Sequence, residues 1–255
     1  MLRIARLVFL AALIANAGAE IPLAQRRSGY EFMGSETRAM QDDEATNPAV
    51  LWLLDGEALW NRKASTARAC ADCHGDARES MKGVAARHPV IDAQSSRPMN
   101  LEQRINACRS NRQQVAPLDY ESRDLLALTA YVARQSRGMP ITIELNEKTK
   151  PFVEAGREHF NRRQGQLNVA CTQCHDEHWG KKLAGNTIPQ AHPTAYPLYR
   201  LEWQGLGSLQ RRLRNCMVGI RAEPHVYGSR EFVEMELFLM WRARGMKIET
   251  PGVRP

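Results

Sequence analysis

Two pentapeptides carry the chemistry of this chain: Cys70-Ala71-Asp72-Cys73-His74 and Cys171-Thr172-Gln173-Cys174-His175. Two thiols three residues apart can form thioethers to the two vinyl groups of one haem, and the adjacent histidine then reaches the iron. This spacing predicts two covalently bound haem c groups, held by Cys70 and Cys73 and by Cys171 and Cys174, with His74 and His175 as proximal iron ligands. A single such motif could instead be a zinc or dithiol site that happens to precede a histidine. Two copies in matching surroundings favour a dihaem c-type cytochrome.

Those surroundings are an internal duplication. Gly56-Glu57-Ala58-Leu59-Trp60-Asn61-Arg62 faces Gly156-Arg157-Glu158-His159-Phe160-Asn161-Arg162 upstream of the two motifs. Downstream, Arg104-Ile105-Asn106-Ala107-Cys108 faces Arg212-Leu213-Arg214-Asn215-Cys216, and Ser122 to Met139 faces Ser229 to Met246 with the same internal spacing. The expected fold is mainly α: two tandem cytochrome c-like haem domains, at 20–139 and 152–255, joined by a polar linker at 140–151. Helices are expected from Pro48 to Arg62 and from Phe152 to Arg163. Each domain should end in an amphipathic helix, N-capped by Ser122 or Ser229 and closed by Gly138 or Gly245. Leu125, Leu128 and Val132 mark the apolar face of the first, and Val233, Leu237, Met240 and Trp241 that of the second. Pro189, Pro193 and Pro197 predict a long loop over the second haem.

Four of the six cysteines are assigned to haem, leaving Cys108 and Cys216 at the same position of the two repeats. An exported protein could join them in a disulfide. Their repetition within each domain points instead to the sixth ligand of each iron, where a soft thiolate stabilises the ferric state. Histidine is the rival, because His88-Pro89 and His192-Pro193 also recur after the two motifs; Met99 is a third candidate, without a methionine in the second repeat. The spacing leaves thiolate and histidine open.

Residues 1–19 read as a signal peptide: Arg3 and Arg6, an apolar run from Leu7 to Ala15, then Ala17-Gly18-Ala19 for cleavage. The run is too short for a membrane anchor, and no later segment reaches the ~20 apolar residues of a span. A periplasmic address follows, in agreement with haem attachment outside the cytoplasm. The net charge of +7, nearer +5 without Arg3 and Arg6, suits an anionic substrate or an acidic partner. Nucleic acid is an unexpected partner in that compartment.

With the duplicated motifs and the two cysteine-bearing segments, Arg104 to Cys108 and Arg211 to Cys216, the chain resembles the SoxA family, the larger cytochrome subunits of the SoxAX complexes of bacterial thiosulfate oxidation. The likeness covers essentially the mature chain. It implies that Cys108 and Cys216 are the distal haem ligands and that the chain forms a heterodimer with a monohaem cytochrome, SoxX. It also implies L-cysteine S-thiosulfotransferase activity, in which thiosulfate is joined oxidatively to a cysteine of the carrier SoxYZ and two electrons pass to a cytochrome c acceptor. In that scheme Cys216 carries a sulfane sulfur as a persulfide and Arg212 binds the anionic substrate. The alternative for Arg212 is a haem-propionate partner or a solvated residue, since Arg104 holds the same place before Cys108. Only the second copy combines the proline-broken loop with clustered arginines, so catalysis is expected there. A plain electron carrier and a dihaem peroxidase are the competing functions; the peroxidase needs an openable distal position, which two permanent thiolates would deny.

Overall fold

The structure, a computed structural model, describes residues 20–63 and 68–255. The expected signal peptide lies outside the described residues. Before the first repeat comes a short helix, α1 (Ser35–Asp42). The repeat itself contains α2 (Val50–Asn61), α3 (Cys70–His74), α4 (Ala77–Ser80), the hairpin β1 (Val90–Ile91) and β2 (Pro98–Met99), α5 (Leu101–Cys108) and α6 (Arg123–Arg134). The second contains α7 (Lys150–Asn161), α8 (Cys171–His175), the hairpin β3 (Lys182–Leu183) and β4 (Asn186–Thr187), β5 (Leu198–Arg200), β6 (Gly205–Gly207), α9 (Leu209–Gly219) and α10 (Arg230–Arg242). A last strand, β7 (Gly252–Arg254), pairs in parallel with β5, giving a sheet ordered β6-β5-β7.

The expected helices form, with two starts displaced by two residues: α2 begins at Val50 rather than Pro48. Helix α7 begins at Lys150, so Pro151 lies inside its first turn. Proline is tolerated there because its missing N–H would have had no intrahelical partner. Ser122 and Ser229 act as N-caps, their hydroxyls accepting from the N–H of Leu125 (3.3 Å) and Phe232 (3.4 Å). Gly138 and Gly245 lie a further turn beyond the last helical residues, with φ of +81° and +83°.

In both repeats the first and last helices cross at a glycine. A Cβ on Gly56 would sit 2.3 Å from the Ala127 carbonyl oxygen, and one on Gly156 would sit 2.1 Å from that of Glu234. The aromatic residue one turn later, Trp60 or Phe160, then fills the space behind its haem motif: Trp60 lies 5.7 Å from the His74 ring and Phe160 6.3 Å from that of His175.

The terminal helices are less one-sided than their sequence periodicity suggests. Every residue of α10 from Phe232 to Trp241 is buried, Glu234 and Glu236 included. Glu234 is covered from within its own repeat by His159 and Arg230, whereas the first repeat packs on Glu236: Asn100, the N-cap of α5, donates to Glu236 at 3.2 Å, and Gln210 of α9 donates to the same oxygen at 2.6 Å. The segment expected as a linker is likewise built in. Ile141 and Ile143 are buried in the main core beside Leu237 and Trp241. Ile141 N–H donates to Met246 O (2.9 Å) while Ile248 N–H donates to Met139 O (2.9 Å), and Gly138 and Gly245 repeat the exchange with Ile248 and Ile141. The two repeats thus meet through reciprocal backbone bonds.

Glu236 and Glu102 line one small cavity at this junction. Burial pushes both carboxyls well above the usual range, and Glu102 adds to the shift of Glu236. A carboxyl whose folded pKa exceeds its unfolded value of 4.5 withdraws stability as pH rises through that interval. Glu236→Gln is therefore expected to raise the thermal midpoint by several degrees near pH 8 and to leave it unchanged near pH 4. Thermal melts at the two pH values measure this.

Candidate functional site

Each haem motif forms one short helix, so both cysteines and the histidine project from consecutive turns. In the second repeat the Nδ1–H of His175 donates to the Pro189 carbonyl at 2.6 Å. That bond fixes the tautomer and leaves Nε2 with its lone pair for a metal. The proline-broken segment supplies this acceptor and also the wall: Pro189, His192, Pro193, Tyr196 and Leu198 line one cavity with His175 and Cys216. The donor set fits haem c, with two free thiols, an oriented imidazole and a facing sulfur.

Cys216 faces the His175 ring from α9. Burial pushes its thiol up, but the imidazole, Arg212 and Arg200 outweigh that and bring it down to about 7. Cationic surroundings of this kind favour the thiolate, the form that ligates metal and attacks sulfur. Cys108 lies beside Cys70 in the first repeat. Gln113, at the end of the π-helical turn that continues α5, donates to Arg68 O (2.8 Å) and closes over Cys70. Cys108 and Cys216 are not bridged.

The histidine rivals fare differently. His88 and His192 each donate from Nδ1 to a backbone carbonyl, of Val84 (2.7 Å) and Arg27 (2.8 Å), and each keeps a buried Nε2 without a partner among the described residues. His192 shares a cavity with its proximal histidine, His175. They are not structural equivalents either. Strand pairing aligns Val90 with Leu198 and Met99 with Gly207, a shift of 108 that also takes Cys108 to Cys216. On that register His88 corresponds to Tyr196 and Met99 to a glycine. The repetition that recommended histidine is therefore a coincidence of dipeptides, whereas the repetition of cysteine is structural.

Arg212 and Arg104 occupy one position but different states. Arg104 is bound to Asp92 (3.0 Å), which Ser95 holds in place. Arg212 lines the Cys216 cavity and has no acidic partner or side-chain hydrogen bond among the described residues. The site also contains residues that motif reading did not reach. Gly29, Phe32 and Met33 line the same cavity, because residues 20–47 pack on the second repeat: Arg27 N–H donates to Gln190 (2.7 Å) and Gln41 accepts from Val253 N–H (3.0 Å). Arg200 and Arg254 complete its cationic wall. Nothing in an arm so far from the haem motifs marks it as part of the second site.

A pair of glycine-crossed helices around a Cys-x-x-Cys-His turn, present twice, defines a duplicated c-type cytochrome, and such domains bind haem c covalently. The comparisons narrow this class. The description SoxA/TsdA, cytochrome c domain, matches residues 55–141 and 155–248. The L-cysteine S-thiosulfotransferase subunit SoxA of Pseudaminobacter salicylatoxidans is 36% identical over 235 residues, 91% of this chain and 82% of that protein. Its counterpart from Rhodovulum sulfidophilum is 34% identical, covering 89% and 80%. The fold superposes on a crystal structure of SoxXA from P. pantotrophus with a TM-score of 0.87 at 29% identity, covering 90% of this chain and 87% of that one. The chain belongs to the SoxA family. No helix among the described residues is long and apolar enough to cross a membrane.

Proposed function

We propose that this chain is the dihaem subunit of a periplasmic L-cysteine S-thiosulfotransferase, paired with a monohaem SoxX cytochrome and acting on a cysteine of the carrier SoxYZ. Cys70, Cys73 and His74 would hold one haem c, and Cys171, Cys174 and His175 the other, with Cys108 and Cys216 opposite the histidines. Bound haem supplies a one-electron acceptor at each site. The observation that carries the reading is the unpaired Arg212 beside Cys216. A half-buried guanidinium without a carboxylate partner is costly, and a planar five-donor fork meets a sulfonate bidentately.

The conversion joins the carrier thiolate and the sulfane sulfur of thiosulfate by a new S–S bond, giving cysteine S-thiosulfonate and releasing two electrons to a cytochrome c acceptor. Two sulfur anions must approach each other. Arg212 offsets that repulsion and orients the sulfonate oxygens, and Cys216 in its low-pKa setting carries a sulfane sulfur of its own as a persulfide, a reversible state of a reactive cysteine. The first repeat lacks these features, its arginine being neutralised by Asp92. Its haem has no substrate role in this reading.

Arg212→Ala, assayed in the two-cytochrome complex by thiosulfate-dependent mass gain on the carrier cysteine, is expected to raise KM about 10–100-fold, the range of a lost charged hydrogen-bond pair. A wild-type complex that passes electrons yet never modifies the carrier would make the chain an electron carrier.

A further inference from the structure

The strand register that aligns the repeats exposes a reversal of charge. In the first repeat β1 pairs with β2 through Val90–Met99 and Ile91–Pro98; in the second β5 pairs with β6 through Leu198–Gly207 and Tyr199–Leu206. Each pair is followed by a helix capped one residue on, by Asn100 and by Ser208. The same shift of 108 takes Arg104 to Arg212, and it takes Asp92 to Arg200. Where the first repeat holds an internal ion pair, Arg104 with Asp92 at 3.0 Å, the second holds two arginines.

Arg200 is 7% exposed and lines the cavity that contains Arg212, Tyr196 and Cys216. One of its terminal nitrogens meets Glu202 at 3.0 Å, and its guanidinium lies 5.3 Å from the Trp203 ring centroid. Its Nε is buried with no partner among the described residues. The buried Arg200 guanidinium and the half-buried Arg212 repel each other and give up hydration, a cost relieved by an anion placed between them. Glu202, exposed, makes its ion pair with Arg200 and lies outside ion-pair distance of Arg212.

We propose that Arg200 is a second substrate-binding residue, which together with Arg212 selects a doubly charged sulfur oxyanion for the Cys216 site. The inference rests on the functional reading above and deepens it. In this arrangement Arg212 and Arg200 hold separate sulfonate oxygens, and the replacement of Asp92 by Arg200 in the second repeat is what turns a structural ion pair into a binding site.

The test uses the oxidised holoprotein in complex with its cytochrome partner. Thiosulfate binding is measured by calorimetry, turnover as KM and kcat, and the haems by EPR and redox titration. Arg200→Gln is expected to raise Kd and KM for thiosulfate about 10-fold or more, the loss of one charged hydrogen bond. Arg200→Asp, which recreates the first repeat's pair, is expected to weaken binding about 100-fold or more, and Arg200→Lys to fall between wild type and Gln. Haem signals should remain those of wild type in all three. Unchanged Kd and KM would overturn the inference alone. So would a shifted potential of the second haem with unchanged Kd, which would make Arg200 a propionate partner. If the wild type itself binds no thiosulfate, the functional reading falls and the inference with it. Should Arg200→Asp fail to fold, the Gln and Lys variants decide the question by the same readouts.

Discussion

Cys216→Ala is expected to abolish thiosulfate conjugation, with kcat down on the order of 1,000-fold or more, as befits removal of a group that handles the reacting sulfur. Cys108→Ala is expected to leave most of the turnover in place. The two should be symmetrical in spectroscopy and asymmetrical in catalysis. Near-infrared magnetic circular dichroism with low-temperature EPR would show thiolate charge-transfer bands disappearing one haem at a time. The asymmetry follows from the neighbours: Cys216 sits among Arg212, Arg200 and Tyr196, whereas the arginine before Cys108 is already spent on Asp92. Equal loss of activity in both variants would mean that electrons must traverse the first haem. Bis-histidine spectra unchanged by either substitution would return the distal position to His192.

The largest structural effect is expected at the helix crossing. Gly156→Ala places a methyl 2.1 Å from the Glu234 carbonyl oxygen and 2.7 Å from the Phe238 Cβ. These are backbone and stem atoms with no rotamer to yield, so α7 must move off α10. Overpacking of this kind costs about 3 kcal/mol at the upper end of its usual range, against a helix-propensity gain of about 1 kcal/mol. Because α7 leads into the haem motif through Phe160, the shift also loosens the wall behind His175. Denaturant unfolding of the holoprotein should show a clear loss of midpoint. Gly219→Ala, on α9 with nothing within 4 Å, is the matched control and should be neutral within about 0.5 kcal/mol.

Much of this architecture was legible because it depends on local rules. The haem motifs are defined by spacing within one helical turn, the serine caps by the residue before an apolar repeat, and the duplication by residues that need no register between strands. What remained hidden depends on pairing across space. The His88-Pro89 and His192-Pro193 dipeptides look equivalent in a linear comparison, because each follows its haem motif at a similar distance. The second repeat, however, inserts the β3–β4 hairpin before its sheet, and only the β5–β6 register shows that Tyr196 stands in the place of His88 and Arg200 in that of Asp92. The burial of α10 on every side was hidden for a similar reason. A helix with Glu234 and Glu236 reads as half-exposed until a second domain is laid against it. The N-terminal arm, held by scattered hydrogen bonds such as those of Arg27 and Gln41, has no periodicity to betray its destination.

The reciprocal backbone bonds between 138–141 and 245–248 have the form of an isologous contact, in which one surface serves both partners. Two identical single-haem chains joined that way would be bound to change together, since any substitution would appear on both sides of the axis. Fusion into one chain keeps the contact and removes that constraint. Each half can then be altered alone while the other continues to support it, and this allows one copy to keep a closed ion pair while its twin turns two arginines toward a substrate cavity. The price of the division of labour is that the halves depend on each other: the second buries Glu236 under the first, and the first puts Ala86 into the core built on the second's last helix.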